Sequence, residues 1–514
     1  MFRTNHPVTS AAFFNREKEL TELLVAAENL AKGFPSWLMI LGPRKIGKTS
    51  LMLECARRAE KIRVLIVSID TTEESPIGTS FFRRYALRVV DAAFGPELGE
   101  SPEALALEPN AYRAALAESK NFNRLDVATR HLLFGVPDMP MSEGFIRQCL
   151  ELPERLAKGL GISFMIAIDE FQELSALQSK RKAVSPFHMM RSTWQLQKRT
   201  SYVVSGSARS MLRALVTEKT SPFFQHFSII EMGPIPREAA VRLLVESGTE
   251  PRKIPEHVAE QAVDLLGCRP FYLQLFGDAL TRTEPPYDRD SLASVLQDLL
   301  FSRTGRLSLY FQNEFNLLVG QSRNLAAVLE TLAKGPQKLS EIARAIGAPA
   351  GQTSSYIQRL DDAIRQTDKL YELDDRTFGL WLQWKKPGGS IVSTSVLGTR
   401  AEFEVAKHLG ASGFELVYQS RASRGAFDLM AVREATQLGV QVRGTKLPVR
   451  FTKAEWNRLE ADSLRFGWPF IIAVAPPKGR VILLDPNKAM RKNSITLSEH
   501  CEIDNILTWI DGVQ

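Results

Sequence analysis

The chain has 514 residues, of which 44% are hydrophobic and 24% charged, and its formal net charge is +7 at pH 7. These proportions exclude a disordered or collagen-like chain, and the length allows roughly two to four domains. The apolar runs are shorter than the ~18 residues of a membrane-spanning helix, and the first residues lack the apolar core of a secretory signal. We therefore expect a soluble, cytoplasmic protein with no membrane partner, whose positive charge permits a nucleic-acid partner.

The first part of the chain alternates apolar, strand-like runs with longer helical patterns. This alternation is typical of a parallel α/β sheet. The long stretch between the second and third apolar runs is predicted to be helical. Strands are predicted at residues 37–41, 64–69, 164–168 and 202–205.

A phosphate-binding loop follows the first predicted strand and opens a predicted helix, which is the context that such a loop requires. We expect the loop and Ser50 to cradle the phosphates of ATP, with Lys48 neutralising the β- and γ-phosphates and Thr49 binding Mg²⁺. The pattern G-x-x-x-x-G-K-[ST] is matched without a mismatch by Gly42, Pro43, Arg44, Lys45, Ile46, Gly47, Lys48 and Thr49.

An acidic pair ends the third predicted strand, where the apolar run 164–168 is followed by Asp169 and Glu170. A carboxylate at such a position can hold Mg²⁺, and a neighbouring one can polarise the attacking water. We predict that Asp169 binds the metal and that Glu170 is the catalytic carboxylate. Binding of ATP without turnover is the alternative, which the intact Glu170 disfavours.

The motifs and their order resemble the archaeal-type ATPase group of the AAA+/STAND P-loop proteins. The similar segments are FFNREKEL at 13–20, IDEFQ at 168–172, VSGS at 204–207 and GCRPFY at 267–272. The resemblance covers residues 13–384 and leaves the arginine finger unassigned, since PFFQH at 222–226 lacks the arginine that the family often has there. It implies that Asn15 and Arg16 lie near the adenine, that Ser207 senses the γ-phosphate, and that Pro270 closes over the nucleotide from a helical lid.

A small unit with three short amphipathic helices and the alternating segment KLYEL is predicted to be a winged helix, which the resemblance also implies. Its third helix would present polar side chains suited to a DNA groove, although Asp361 and Asp362 follow at once. A packing module is an equally good interpretation. The outward side chains would be Gln352, Ser354, Ser355, Gln358 and Arg359.

After the predicted linker, the pattern predicts a helix at 399–409, strands at 414–418, 426–432 and 438–443, a helix at 453–466 and a strand at 470–474. This order resembles the PD-(D/E)xK nuclease fold of restriction-like and resolvase-like enzymes. The similarity rests on Glu402 in a first helix, on RGAFDLMA around Asp428, and on Gln441 and Arg443 in QVR. The resemblance implies that Asp428 and Gln441, helped by Glu402, hold Mg²⁺ against the scissile phosphate. Arg443 replaces the usual lysine and cannot act as a base, although it can stabilise negative charge. A domain that has lost catalysis and binds only DNA or a partner protein stays open.

Basic residues between 421 and 465, interleaved with Trp456 and Phe466, are compatible with a face that follows a phosphate backbone. A solvated surface would show the same pattern.

Together these patterns predict an α/β protein with a P-loop AAA+ core and a restriction-endonuclease-like α/β domain. The expected function is ATP hydrolysis coupled to DNA binding and to metal-dependent DNA processing, with self-association through the ATPase domain as a further option. The alternative is an ATP-driven switch with a catalytically inactive nuclease-like domain. The predicted parts are an ATPase core at 1–235, a helical lid at 236–320, a winged helix at 321–386, a linker at 387–397 and a nuclease-like domain at 398–514.

Overall fold

The structure is a computed structural model. Its contacts divide the chain into two compact units, Asn5–Ile235 and Pro236–Gln514 together with Met1–Thr4. The finer limits of lid, winged helix and C-terminal domain stay predictions, and the predicted linker lies outside the described residues. The described residues are 2–68, 79–140, 142–178, 186–302, 304–385, 400–414, 416–419, 427–433, 436–476, 479–491 and 494–513.

A five-stranded parallel sheet forms the centre of the unit Asn5–Ile235, with the strand order β2-β3-β4-β1-β5. The four predicted strands are present, and a fifth, short edge strand with one buried residue carried too weak a pattern to be found. Because β4 lies between β1 and β3, the carboxyl ends of these three strands meet at one edge. The strands are β1 (Trp37–Leu41), β2 (Arg63–Ser68), β3 (Phe164–Asp169), β4 (Thr200–Gly206) and β5 (Ser228–Glu231).

Helices cover both faces of this sheet, and the alternation along β1 shows why. Leu38 and Ile40 face a core shared with the first two helices, whereas Met39 and Leu41 face the core of the long helical segment. The described part of the segment predicted to be helical is largely helical. The helices are α1 (Glu17–Ala31), α2 (Lys48–Arg58), α3 (Thr79–Leu98), α4 (Pro102–Leu105), α5 (Pro109–Glu118), α6 (Val127–Gly135), α7 (Glu143–Leu160), α8 (Pro186–Trp194) and α9 (Arg209–Thr217).

The second unit begins with a helical segment, as the pattern predicts. A single π-helical turn at Gln297–Phe301 separates its last two helices. The helices are α10 (Arg237–Ser247), α11 (Glu256–Leu266), α12 (Pro270–Leu280), α13 (Arg289–Leu296) and α14 (Arg306–Val319).

Three helices and a small antiparallel sheet of order β6-β8-β7 follow, and a fourth helix comes after the sheet. Three helices with such a sheet are the elements on which the winged-helix prediction rests. In the third of these helices Thr353 and Ile357 are buried, and the five polar side chains that were expected to point outward are exposed. The elements are α15 (Arg323–Leu332), β6 (Gln337–Lys338), α16 (Leu339–Ile346), α17 (Ala350–Arg359), β7 (Ile364–Thr367), β8 (Leu370–Leu373) and α18 (Arg376–Lys385).

The C-terminal part contains a five-stranded mixed sheet of order β14-β13-β11-β10-β9 and a small sheet of order β12-β16-β15. The helix at 453–466 and the strand at 470–474 have the predicted limits, whereas the strand predicted at 426–432 begins three residues later, at Leu429. The elements are α19 (Arg400–Ala411), β9 (Leu416–Gln419), β10 (Leu429–Arg433), β11 (Thr436–Arg443), β12 (Val449–Phe451), α20 (Lys453–Phe466), β13 (Phe470–Val474), β14 (Ile482–Leu484), β15 (Met490–Arg491), β16 (Ile495–Leu497) and α21 (Ile506–Val513).

Across the described parts of the chain, every helix is too short or too polar to cross a membrane.

Candidate functional site

The phosphate-binding loop joins β1 to α2, and its backbone depends on two glycines. Gly47 has φ +108°, a conformation that side chains disfavour. A Cβ atom on Gly42 would lie 2.7 Å from the carbonyl oxygen of Met232. Because α2 begins at Lys48, the unpaired N–H groups and the positive dipole end of its first turn lie at the loop. The loop can therefore bind an anion through its backbone.

The side chains of the loop differ in their exposure to solvent. Ile46 is buried in the core beneath the sheet, whereas Arg44 and Lys45 are exposed. Lys48 is only 5% exposed, and its Nζ donates hydrogen bonds to the carbonyl oxygens of Gly42 at 2.9 Å and Pro43 at 3.1 Å. Its ammonium group thus lies across the loop, where phosphate charge is expected.

Thr49 and Asp169, both predicted to bind Mg²⁺, are in direct contact. Thr49 Oγ1 donates a hydrogen bond to Asp169 Oδ2 at 2.7 Å, which joins the loop to the end of β3. Asp169 Oδ1 accepts hydrogen bonds from Ser205 Oγ at 2.5 Å and from the backbone N–H of Glu170 at 3.1 Å. The carboxylate is therefore held in one orientation by three donors.

Ser205 is a site residue that the sequence interpretation missed. The signal was present in the strand register, since Ile168 pairs with Val204 and the next residues, 169 and 205, lie side by side on neighbouring strands. The sequence does not show that β3 and β4 are neighbours in the sheet, because about thirty residues separate them along the chain.

Glu170 leaves the strand with φ +55°, a left-handed conformation that turns the chain at the sheet edge. Its Oε2 accepts hydrogen bonds from Gln172 Nε2 at 2.6 Å, from Ser207 Oγ at 3.0 Å and from Ser207 N at 3.3 Å. Burial opposes ionisation, but the Gln172 bond, the charge of Lys48 and the Ser207 bonds together lower the pKa of Glu170. The carboxylate is thus ionised, as a general base must be.

Ser207 links three parts of the site. It donates to Glu170, and its Oγ also accepts a hydrogen bond from Arg44 Nε at 3.4 Å. The predicted γ-phosphate sensor thus lies between the phosphate-binding loop and the acidic strand end. The structure brings together all the predicted residues of the core site, which are Lys48, Thr49, Asp169, Glu170 and Ser207.

The N-terminal box lies beside the loop. Asn15 and Arg16 have φ of +59° and +85°. Arg16 is buried, and its guanidinium donates to the carbonyl oxygens of Gly233 at 2.5 Å and Ile46 at 3.5 Å and to Glu19 Oε1 at 3.0 Å. The residue that was expected near the adenine therefore ties the loop backbone to the chain after β5.

Ser50 also has a protein partner, because its Oγ accepts a hydrogen bond from the backbone N–H of Val8 at 3.0 Å. Its side chain fastens the N-terminal segment to α2, and the role of Ser50 in the phosphate cradle stays a prediction. A second anchor lies one turn further, where Glu54 Oε2 accepts from Ser10 N at 2.8 Å.

Pro270 belongs to the second unit and is the first residue of α12. The preceding Arg269 is 11% exposed in its side chain and pairs with Asp374 at 3.4 Å and Asp375 at 3.2 Å. Tyr272 OH donates to Asp375 Oδ2 at 2.5 Å. The N-terminus of α12 is thus tied to the turn between β8 and α18.

The residues predicted for the nuclease-like site come from one helix and two strands. Glu402 lies on α19, Asp428 directly before β10, and Gln441 and Arg443 in the last part of β11. Asp428 Oδ2 accepts a hydrogen bond from the backbone N–H of Val442 at 2.7 Å and a short one from Gln441 Nε2. Burial raises the pKa of Asp428, the Val442 bond opposes this, and the charge of nearby Glu402 raises it further. Glu402, Asp428 and Gln441 therefore form one group, in which Gln441 presents its amide nitrogen, rather than its oxygen, to Asp428.

Arg443 has two partners of its own. Its guanidinium lies 4.6 Å from the ring centroid of Phe451 and 3.4 Å from Glu455 Oε1. Its side chain is thus directed towards the N-terminus of α20, where Glu455 also caps the helix with Thr452.

The aromatic residues of the predicted phosphate-tracking face are not available for stacking. Trp456 and Phe466 are buried, because they form the inner face of α20. The described basic residues Arg450, Lys453 and Arg458 are exposed, and residues 421–426 lie outside the described part of the chain. The corrected interpretation, for the described residues of this segment, is an exposed charged surface to which Trp456 and Phe466 do not contribute.

No cluster of three or more His, Cys, Asp or Glu residues with metal-binding geometry occurs in the portion of the chain that the structure describes. Outside such clusters, Thr49 and Asp169 bring oxygen donors together in the first unit, whereas in the second unit Gln441 turns its amide nitrogen to Asp428.

A glycine-supported loop at a helix N-terminus, joined through Thr49 to an acidic strand end, is the arrangement of the P-loop ATPases, and the first unit is one of them. The model of one family, described as an ATPase domain predominantly from Archaea, matches residues 13–276, which is just over half of the 514 residues. The chain belongs to this family.

Solved structures similar to this chain include a Walker-type ATPase of Pyrococcus abyssi, with a TM-score of 0.55 and 18% identity over 74% of this chain and 99% of that one. The ORC2 protein of Aeropyrum pernix has a TM-score of 0.47 and 12% identity over 74% of this chain and 97% of that one. The Holliday junction resolvase Hjc of Archaeoglobus fulgidus has a TM-score of 0.20 and 19% identity over 23% of this chain and 100% of that one. The first of these supports the fold alone. No curated protein matches the chain significantly.

Proposed function

We propose that the first unit hydrolyses ATP at the edge where β1, β3 and β4 end, and that this reaction controls the binding and processing of DNA by the second unit. The observation that carries the proposal is the contact between Thr49 Oγ1 and Asp169 Oδ2 at 2.7 Å, with ionised Glu170 as the next residue. It supports a shared cation site, with a base next to it, beside the loop.

The residues present fit a nucleotide with Mg²⁺. A side chain at Gly42 would collide with the carbonyl oxygen of Met232 and so displace the loop backbone, and the oxygen atoms of Thr49 and Asp169 lie close enough to share one cation. When bound, Mg²⁺ supplies positive charge that neutralises the phosphates. Lys48 would exchange its two carbonyl partners for phosphate oxygens, since its ammonium group already spans the loop.

Glu170 would orient the attacking water and accept its proton. Its carboxylate is ionised and is fixed by Ser207, which also contacts Arg44 of the loop. Since general bases of this kind contribute about 10²–10⁴-fold in rate, their loss is easily measured.

The ATPase assignment is tested by Lys48→Ala and Glu170→Gln, with Lys32→Ala and Glu28→Gln as controls on the exposed surface of the same unit. We expect Lys48→Ala to lose both ATP binding and hydrolysis. We expect Glu170→Gln to bind ATP as the parent does and to hydrolyse it about 10²–10⁴-fold more slowly. Parental hydrolysis by Lys48→Ala would refute the site.

For the second unit, we propose that residues 321–386 form a winged helix that contacts DNA, and that residues 398–514 form a nuclease-like domain. Support for the first comes from the exposed polar face of α17. Support for the second comes from the contact between Asp428 and Gln441 at two neighbouring strands, with the charge of Glu402 on α19 close enough to raise the pKa of Asp428.

Cleavage is tested on plasmid DNA with Mg²⁺ or Mn²⁺ and ATP, comparing the parent with Asp428→Ala and with Asp504→Ala, a control at an exposed position. Cleavage by the parent and the control, but not by Asp428→Ala, is expected. Cleavage that survives in Asp428→Ala contradicts the nuclease-like site.

A second candidate function is an ATP-driven switch whose C-terminal domain holds DNA without cutting it. Two observations favour it, since Gln441 turns its amide nitrogen to Asp428 and Arg443 is engaged by Glu455. DNA retention that depends on salt, with no cleavage under any metal, would select this function. No retention at all would leave a signalling scaffold.

A further inference from the structure

Gln172 is a buried polar residue for which the sequence assigned no role. It is 6% exposed and lies two residues after the catalytic carboxylate, in the 3-10 helix Phe171–Gln178. Its Nε2 donates a hydrogen bond of 2.6 Å to Glu170 Oε2. Only the amino group of the amide can donate to a carboxylate, so this bond fixes which way the amide faces.

Gly206 provides the space that this amide occupies. A Cβ atom on Gly206 would lie 2.0 Å from Gln172 Oε1 and 2.6 Å from Leu212 Cδ1. Gly206 is the last residue of β4 and has no positive φ, so backbone conformation does not explain the glycine. Close approach of the Gln172 side chain does explain it.

One of the two polar atoms of the amide has no partner in the described part of the chain. Gln172 Oε1 is buried and has no hydrogen-bond partner among the described residues. A buried polar atom without a partner costs free energy, and an apolar side chain of similar size would avoid this cost. The position is therefore better suited to the hydrogen bond with Glu170 than to packing.

We propose that Gln172 is a positioning residue for Glu170 and that Gly206, which has no side chain, leaves the space that the Gln172 amide occupies. Gln172 and Ser207 donate to the same carboxylate oxygen, from the 3-10 helix and from the end of β4. Together they hold Glu170 in one orientation relative to the phosphate-binding loop. This inference rests on the proposed function, in which Glu170 acts on the attacking water.

The first test is Gln172→Leu, which keeps the approximate volume and removes the donor. We expect kcat for ATP hydrolysis to fall by up to about 100-fold, since small displacements of a catalytic group have effects of this size. The KM for ATP and the affinity for a non-hydrolysable ATP analogue should stay within about twofold, and Tm should change little, because removal of the buried unpaired oxygen offsets the lost hydrogen bond to Glu170. Gln195→Leu, at an exposed position, is the matched control.

The second test uses Gly206→Ala, whose methyl group would displace the Gln172 amide. We expect the same loss of kcat as in Gln172→Leu, and we expect the double variant to lose little more than either single variant, because both changes break one interaction. Gly144→Ala is the control, since its added Cβ atom would have only an ordinary contact at 3.7 Å. If Gln172→Leu does not fold, Gln172→Met replaces it.

The outcomes separate this inference from the ATPase assignment. Parental kcat in Gln172→Leu, alongside an inactive Glu170→Gln, overturns the positioning role and leaves the ATPase assignment intact. Parental hydrolysis in Glu170→Gln overturns both. Two further outcomes would contradict the positioning role. One is a loss of analogue affinity as large as the loss of kcat, and the other is fully additive losses in the double variant. Either would show that the substitutions at Gln172 and Gly206 disturb the packing of the unit rather than the orientation of Glu170.

Discussion

At the scale of single residues, the side chains that orient the ATPase site come from several segments of the chain rather than from one motif. Asp169 is oriented by Thr49 from the loop and by Ser205 from the neighbouring strand. If Asp169 binds Mg²⁺ as proposed, this fixed orientation reduces the conformational freedom that it loses when the cation binds. The serine on β4 therefore has a measurable function.

We expect Ser205→Ala to raise the Mg²⁺ concentration that gives half-maximal ATPase activity by about 10-fold, as losses of outer hydrogen bonds at metal sites commonly do. The physical reason is that Asp169 loses the donor at 2.5 Å. Titration of the activity with Mg²⁺ at saturating ATP measures the effect.

Ser228→Ala, at an exposed position of β5, is the control for this prediction. An unchanged Mg²⁺ requirement in Ser205→Ala would mean that Thr49 and the backbone suffice to orient Asp169.

At the scale of secondary-structure elements, the N-terminal segment is fastened to α2 through Glu54. The Glu54 side chain is fully buried and contacts Arg57 and Arg58, which are 49% and 45% exposed. The hydrogen bond from Arg57 outweighs the opposing effect of burial, and with further bonds from Ser10 and Arg58 it lowers the pKa of Glu54 to about 2. The segment and the helix are thus joined by an ionised carboxylate.

A pH dependence of stability follows from this lowered pKa. Because the folded-state pKa lies below the usual 4.5, Glu54 stabilises the fold above that pH, and the stabilisation is lost as the pH falls towards about 2. We expect Glu54→Gln to lower the free energy of unfolding at pH 7 by about 1 kcal/mol, since the two exposed arginines can be rehydrated. Urea unfolding from pH 7 to pH 2.5 measures the difference between variant and parent.

The difference between Glu54→Gln and the parent should shrink with falling pH. A constant difference over this range would contradict the assignment, and Glu28→Gln, on the exposed side of α1, should show no pH-dependent difference.

The contact between α12 and α18 is the corresponding junction in the second unit. Asp375 pairs with Arg269, accepts from Tyr272, and caps α18 through the N–H groups of Thr377 and Phe378. Burial opposes the charge of Arg269, but the two aspartates more than compensate, so its pKa is raised.

We expect Asp375→Ala to lower the stability of the second unit by about 2–4 kcal/mol, because it removes a helix cap and leaves a buried arginine with one partner fewer. Calorimetric Tm values of the full chain check this, with Asp361→Ala as a control at an exposed position. A shift in Asp375→Ala no larger than in Asp361→Ala would show that the junction contributes little.

At the scale of the whole molecule, the excess positive charge has a proposed use in DNA binding. Arg450 on β12 and Lys453 at the start of α20 are exposed, close in sequence and near the nuclease-like residues on β11. Because each phosphate contact contributes about 0.9 to the salt slope, we expect Arg450→Ala with Lys453→Ala to flatten the plot of log K against log salt concentration by about 2.

The matched control for this prediction is Lys32→Ala with Lys61→Ala, which removes the same charge from the first unit. Binding of a duplex at a series of salt concentrations measures both slopes. Equal slopes in the test and control variants would mean that the DNA contacts lie on other residues, or that losing two positive charges has the same effect wherever they are removed.

Much of the fold was predictable from local patterns. The helix at 453–466 and the strands at 37–41 and 470–474 have the predicted limits, because each has strong periodicity and clear turn signals at its ends. The strand β5 and the small sheet of β12, β15 and β16 were not individually predicted. These strands have two to four residues, and such short segments are defined by their partners rather than by their own pattern.

The sequence by itself determined the phosphate-binding loop and the acidic strand end, because their chemistry is carried by consecutive residues in a strand–loop–helix context. Only the tertiary structure decided which side chains hold Asp169 and Glu170. Ser205, Ser207 and Gln172 reach them because β4 lies beside β3, and because Gly206 leaves space for an amide. Contacts between residues distant in sequence depend on strand order and on packing volumes, and neither quantity is encoded in a local pattern.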